Sequence, residues 1–221
     1  MIFTQEQAST YNDRYERLAP LKDVLHLCAA RVLEPLPPQA RVLVVGAGTG
    51  NELLYLAEHF PAWQFTVVEP SEPMLAVCRE RVEQAGIAGR TTLVHGFLED
   101  VAVEPHHGAT SFLVSHFLTE RDRRLGFFRA IAARLHPGGV LVNADLTHGG
   151  EDHEQVMDLW FRTLSYSFPE SFQVDNYLEH FNREVSLLAD DEIRRLLVEA
   201  GFRQPTLFLK TLMINAWFAR L

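Results

Sequence analysis

The sequence predicts an α/β fold: a doubly wound, mostly parallel seven-stranded sheet with N-terminal helices and a helical insert after the fifth strand. Three observations carry that expectation. Short β-branched runs alternate with amphipathic stretches from residue 41 to 146, and strands alternating with helices pack as a parallel sheet with right-handed crossovers. The runs RVLVVG (41–46) and VLVNADL (140–146) are almost continuously apolar, as strands covered on both faces require. The 221-residue chain is 47% hydrophobic and 22% charged, a globular composition that fits one domain and excludes disorder or a fibrous repeat.

Taken in order, residues 11–34 read as one helix, with Leu18, Leu21, Leu25, Cys28 and Val32 recurring every three or four positions until Pro35, Pro37 and Pro38. RVLVVG is the first strand. ELLYLAEHF then reads as helix, QFTVVE (64–69) as strand, Met74 to Gly86 as helix and TTLVHG (91–96) as strand. SFLVSHF (111–117) is the expected fourth strand, Glu120 to Leu135 a long helix, HPGG (136–139) a turn and VLVNADL the fifth strand. The period then breaks. Residues 151–185 show no strand pattern but hold seven aromatics: Trp160, Phe161, Tyr166, Phe168, Phe172, Tyr177 and Phe181. Such an insert can roof a pocket, pack its own small core or make a homodimer contact. DDEIRRLLVEAGF has acids at its start and Gly201 at its end, as helix termini favour. Strands near 205–211 and 214–220 close the chain. The expected organisation is a single domain: an N-terminal helical lid (1–40), a core (41–150), the aromatic insert (151–185), and the final helix and strand pair (186–221).

Twenty Lys and Arg against 29 Asp and Glu give a net charge of -9, which does not favour a phosphate-rich partner. The basic residues Arg121, Arg123, Arg124, Arg129 and Arg134 crowd one helix, but Glu120 and Asp122 are interleaved, so a solvated face is the expectation. A small-molecule substrate is therefore expected and a nucleic acid is not. Cys28 and Cys78 have no CxxC or His-rich neighbourhood, which argues against a disulfide framework or a structural zinc site. The polar start and the lack of any apolar run near ~18 residues predict a cytoplasmic, soluble protein with no membrane partner.

The chemistry-bearing pattern starts where the first strand meets GAGTG (46–50) and a helix. That places backbone N–H groups and a positive helix end at the carboxyl edge of the sheet, where open α/β sheets bind nucleotide-like ligands. A side chain at Gly46 or Gly48 would keep a ligand from the backbone. The spacing is GxGxG, which counts against a dinucleotide, whose turn has its third glycine one residue later. Nineteen residues after Gly50, Glu69 ends the second strand and can accept both hydroxyls of a ribose.

Through VLVVGAGTG, VVEPSEPML (67–75) and LHPGGVLV (135–142), residues 40–146 resemble the class I S-adenosylmethionine-dependent methyltransferases. The resemblance implies their Rossmann-like fold, with an antiparallel last strand, and S-adenosyl-L-methionine as cofactor. It also implies that Gly46, Ala47 and Gly48 lie along the methionine moiety, that Glu69 holds the ribose, and that Pro70 and Met74 pack on adenine. Phe97 and Leu98 would meet the adenine edge, with Ser115 on the cofactor side. Three residues depart from the family pattern. Val44 stands where an acid usually holds the methionine amino group, and Glu52, in the next helix, is the candidate replacement. Phe97 stands where an acid usually takes the adenine amino group, leaving packing, Glu99 or Asp100 to serve. Ala109, Thr110 and Ser111 stand in place of an acid on the fourth strand, so no metal is expected.

Methyl transfer is an in-line displacement in which positioning and exclusion of water carry much of the work. His116, beyond the fourth strand, is the candidate base. Tyr11 and Tyr15, spaced i and i+4, share a face that can close over the cofactor. His148 and His153 lack a third ligand and read as loop residues. The expected function is methyl transfer to a small, partly apolar acceptor. Two alternatives stand beside it. One is chemistry on the cofactor itself: RLAP (17–20), SHFL (115–118), LHPGG and the ending AGF…FARL are similar to the carboxy-S-adenosylmethionine synthase of the tRNA wobble-uridine pathway, where an arginine from the insert holds the extra carboxylate; Arg162 and Arg183 are available here, but neither matches that family's spacing to AGF. The other is a non-catalytic S-adenosylmethionine-binding module.

Overall fold

The computed structural model describes residues 4–167, 178–179, 181 and 183–221. Seven strands form one sheet: β1 (Arg41–Val45), β2 (Gln64–Glu69), β3 (Thr91–His95), β4 (His106–Phe112), β5 (Leu135–Leu146), β6 (Arg203–Thr211) and β7 (Ile214–Arg220). Their order is β3-β2-β1-β4-β5-β7-β6. The first five are parallel, and β7 enters antiparallel to both β5 and β6. The chain winds outward from β1 to β3, then returns to lay β4 on the other side of β1. The carboxyl ends of β1 and β4 therefore splay apart at the reversal, which opens a crevice.

Helices α1 (Gln5–Ser9), α2 (Tyr11–Arg14) and α3 (Ala19–Leu33) precede the sheet. Then come α4 (Asn51–His59), α5 (Glu72–Gln84), α6 (Arg121–Ala132), α7 (His153–Ser167) and α8 (Asp190–Glu199). Alternation in β1 explains why both faces are covered. Val42 and Val44 pack with Ala29 and Leu33 of α3, Leu53 and Leu56 of α4 and Cys78 and Val82 of α5. Leu43 and Val45 pack on the other side with Phe128 and Ile131 of α6 and Ile193 and Leu196 of α8. Successive residues of a strand point to opposite faces, so a run of five apolar residues needs two helical layers to hide it.

Four boundaries differ from expectation. The helix expected over 11–34 is broken: α2 ends at Arg14, a 3-10 turn covers Glu16–Leu18, and α3 starts at Ala19. Pro20 lies in the first turn of α3, the one helical position where its missing N–H is harmless, so the helix must restart there. The fourth strand lies earlier than SFLVSHF: β4 ends at Phe112, Leu113 turns left-handed (φ 58°), and Ser115–Phe117 form a 3-10 turn. HHGAT does not look like a strand, but pairing Gly108–Ser111 against Val42–Val45 of β1 fixes it as one. The fifth strand begins at Leu135, absorbing HPGG as an irregularity opposite β4. The fifth helix starts two residues before Met74, at Glu72.

Of the aromatic insert, α7 is described, whereas Phe168, Phe172 and Tyr177 lie outside the described residues. Trp160 and Leu164 of α7 are buried with Phe181, Leu146, Met213 and Ile214, against Leu18 and Leu21 from the N-terminal segment. This small second core ties the insert to the N-terminal helices at the carboxyl end of β5. No helix among the described residues is long and apolar enough to cross a membrane.

Candidate cofactor and acceptor site

β1 runs into the Gly46–Gly50 turn at the crevice. Gly46, Gly48 and Gly50 all have positive φ. Two of these glycines serve different ends. A Cβ on Gly46 would lie 2.4 Å from Val114 Cγ2, so the loop after β4 needs this residue bare. A Cβ on Gly48 would meet nothing within 4 Å; it would project into the open cleft from a backbone at φ 54°. The open space at Gly48 leaves room for the ligand that the sequence expectation places there, while at Gly46 protein packing already requires glycine.

Glu69, at the end of β2, joins the turn to the next loop. Its Oε2 accepts the Gly48 N–H at 2.8 Å and its Oε1 the Ser71 N–H at 2.9 Å. Each oxygen keeps a second lone pair, so the carboxylate can still receive two ribose hydroxyls. Burial raises the Glu69 carboxyl above its ordinary range, against the pull of those two N–H groups. Half-buried Pro70 follows, its carbonyl accepting from the His95 ring at 3.2 Å. Met74 is fully buried, as is Leu98, whereas Phe97 is 65% exposed. Asp100 folds back so that its Oδ2 accepts the Phe97 N–H at 2.8 Å. It thereby brings a carboxylate to the segment where Phe97 itself offers none.

Val44 lies opposite Thr110 in the β1–β4 register. The Thr110 hydroxyl donates to Glu52 Oε1 at 2.5 Å. The helix-borne carboxyl thus reaches the carboxyl end of the strand pair whose own acid is missing. Ala47 borders the same turn and is 8% exposed. Burial pushes Glu52 up from 4.5 to about 8, and only the Thr110 bond opposes it.

The N-terminal segment closes over this edge. The rings of Tyr11 and Tyr15 meet at a tilt of 43° with centroids 4.7 Å apart. Burial, with the charges of Tyr15 and Glu69, raises the Tyr11 phenol. Asn12, absent from the sequence expectations, latches the segment to the turn: its Oδ1 accepts Thr49 Oγ1 at 2.9 Å and Asn51 Nδ2 at 3.0 Å. Arg81 of α5 steadies the other side, donating to Thr49 O at 2.7 Å and Asn51 Oδ1 at 2.9 Å.

Across the crevice, Ser115 and His116 are both buried and both bound to Asp145 of β5. Asp145 Oδ2 accepts from Ser115 Oγ at 2.5 Å and from Asn143 Nδ2 at 2.9 Å; Oδ1 accepts the His116 backbone N–H at 3.0 Å and its Nδ1 at 3.1 Å. The side chain of Ser115, expected on the cofactor side, is thus committed to Asp145. Despite complete burial, the Asp145 carboxyl is held below its ordinary range by His116, Ser115 and Asn143. An ionised carboxylate on Nδ1 makes that nitrogen the donor and leaves Nε2 as the basic one. Sequence reasoning missed Asp145, although an acid inside the apolar run VLVNADL was its signal. His148 and His153 stack at 3.8 Å, each accepting a backbone N–H from the glycine pair 149–150. Among the described residues no group of three or more His, Cys, Asp or Glu is arranged to hold a metal ion.

Comparison with known proteins bears on this geometry. Residues 42–139 match the family described as "Methyltransferase domain". A trans-aconitate 2-methyltransferase of Variovorax paradoxus is 44% identical over 130 residues, 58% of this chain and 44% of that protein. An O-methyltransferase family protein of Burkholderia thailandensis superposes with TM-score 0.73 at 13% identity, covering 96% of this chain and 59% of that one. An O-methyltransferase family 2 protein of Planctomyces limnophilus, in complex with apigenin, gives 0.63 at 17% identity over 85% and 55%. At such identities the superpositions speak for the fold. The chain spans 27% and 44% of the lengths of the two curated relatives it matches.

Proposed function

We propose that this chain has a class I S-adenosylmethionine-dependent methyltransferase core, matched in residues 42–139, and is an enzyme that transfers a methyl group from S-adenosyl-L-methionine to a small, partly apolar acceptor. The observation that carries the reading is the Gly48–Glu69–Ser71 cradle at the reversal point of the sheet. Glu69 would take the ribose, the bare backbone at Ala47 and Gly48 the methionine chain, and Glu52 its ammonium. Pro70, Met74, Phe97 and Leu98 would border adenine, with Asp100 offering an acceptor for its amino group. Tyr11 closes the edge, and Gly46 and Ser115 hold the surrounding loops in shape.

When bound, the cofactor supplies an electrophilic methyl on a sulfonium. For a hydroxyl acceptor, His116 Nε2 would take the proton that the acceptor gives up when it is methylated. Asp145 stabilises the imidazolium that results, and its charge keeps the basic nitrogen facing the acceptor. The insert and the N-terminal helices, joined through their shared core, would exclude water from the reacting atoms. Leu159 and Tyr166, exposed on α7, are the side chains a homodimer through the insert would use. Chemistry on the cofactor itself gains no support from its two candidate arginines. Arg162 pairs with Asp158 at 2.5 Å and Arg183 with Glu184 at 3.0 Å.

Calorimetric titration with S-adenosylhomocysteine, run in parallel on Glu69→Ala, tests the site. Micromolar or tighter binding that weakens at least about tenfold in the variant is expected. A folded protein with no measurable binding would overturn the reading, and binding that resists the substitution would remove Glu69 from the ribose site.

A further inference from the structure

Behind Asp145 the sheet carries a row of polar residues that the proposed reaction does not use. Ser111 of β4 lies opposite Asn143 of β5, which lies opposite Trp217 of β7. All three are 0% exposed, on the face of the sheet covered by α6 and α8. Each has one buried polar atom with no hydrogen-bond partner among the described residues: Ser111 Oγ, Asn143 Oδ1 and Trp217 Nε1. A fourth, Arg124 Nη1, is in the same condition on α6, while the rest of that guanidinium is bound to Leu118 O and Ser186 O. Its charge senses Asp145 and Glu192 of α8.

An unmet buried donor or acceptor costs about 1–3 kcal/mol, so several in one region would consume much of a domain's stability of roughly 5–15 kcal/mol. The row holds a donor in the indole N–H, an acceptor in the Asn143 carbonyl, and a hydroxyl able to do either. These are the complementary partners that one internal water needs, since a buried water makes about three hydrogen bonds. The orientation of Asn143 is not free. Its Nδ2 must face Asp145 Oδ2 because a carbonyl there would repel the carboxylate, so Oδ1 must face the row. Whatever satisfies Oδ1 also holds the amide in place.

We propose that Ser111, Asn143 and Trp217 hold an internal water that locks the Asn143 amide onto Asp145, making Asn143 a positioning residue for His116. The positioning step rests on His116 being the base; the water site does not. The row ties the imidazole's carboxylate partner to the packed centre of the sheet, so His116 is held from below as well as by the loop that carries it.

The experiment is nuclear magnetic resonance on the intact chain, without acceptor. The Trp217 indole N–H, identified by its loss in Trp217→Phe, should show a magnetisation-transfer cross-peak to a long-lived water. Ser111→Val should abolish that cross-peak by placing methyl groups where the water sits, and should shift the ring nitrogen resonances of His116, which report its Nδ1 hydrogen bond to Asp145. Ser111→Ala, which removes a partner without filling the space, should keep the cross-peak and controls for folding. Absence of the cross-peak in the unaltered protein would overturn the water site. Its loss in Ser111→Val with unmoved His116 ring nitrogen resonances would overturn the positioning role. Failure of the methyltransferase reading would appear instead as absent S-adenosylhomocysteine binding, a separate measurement.

Discussion

Glu52→Gln removes the charge of a buried carboxyl while keeping an oxygen for Thr110. In the unfolded chain the carboxyl ionises at its ordinary value of 4.5; in the folded protein burial delays this to about 8. Below the lower value both states are neutral and the carboxyl costs folding nothing. As pH rises through the interval the unfolded chain gives up its proton and the native state keeps it. The native state therefore loses stability at about 1.4 kcal/mol per pH unit, approaching about 5 kcal/mol above the upper value. The glutamine variant has nothing to ionise and escapes that loss. Urea unfolding of both proteins at about pH 5 and about pH 9 isolates the effect, because all other titrating groups are shared. The stability of Glu52→Gln relative to the parent should rise by several kcal/mol between the two. A gap that changes by less than about 1 kcal/mol would refute the buried, protonated Glu52. The same carboxyl predicts that S-adenosylhomocysteine, whose ammonium would favour the ionised form, releases close to one proton on binding near pH 6.5. Calorimetry in buffers of different ionisation enthalpy measures that release, which should vanish in Glu52→Gln.

Gly46→Ala should destabilise the protein by about 1–3 kcal/mol through its collision with Val114 and its left-handed backbone, and Val114→Ala in the same chain should restore only the share due to the collision in thermal unfolding. Asn12→Ala removes the latch between the N-terminal segment and the glycine turn; stopped-flow displacement should show S-adenosylhomocysteine leaving several-fold faster with the fold intact. His116→Asn should lower kcat on a hydroxyl acceptor by about 100-fold or more, with cofactor affinity nearly unchanged. An equal loss in both would assign His116 to structure.

The sequence by itself determined the layer architecture and one edge of the site. The β-branched runs at 41–46 and 64–69 could only be strands hidden on both faces, and GAGTG followed by Glu69 put a glycine turn and an acid at neighbouring strand ends. Those are local signals, carried by period and spacing. Where the fourth strand begins was not legible, because HHGAT becomes a strand only by pairing with β1. The helix over 11–34 was misread for a related reason, since apolar periodicity continues across Pro20 while the backbone cannot. Tertiary structure alone decided that Asp145 meets His116 and Ser115, that Glu52 reaches Thr110, and that Asn12 grips Thr49. Each of these contacts joins residues about 30 or more positions apart. Hydrophobic period records which face of an element is buried. It does not record which polar side chain meets which across the sheet, because that is set by strand order and register.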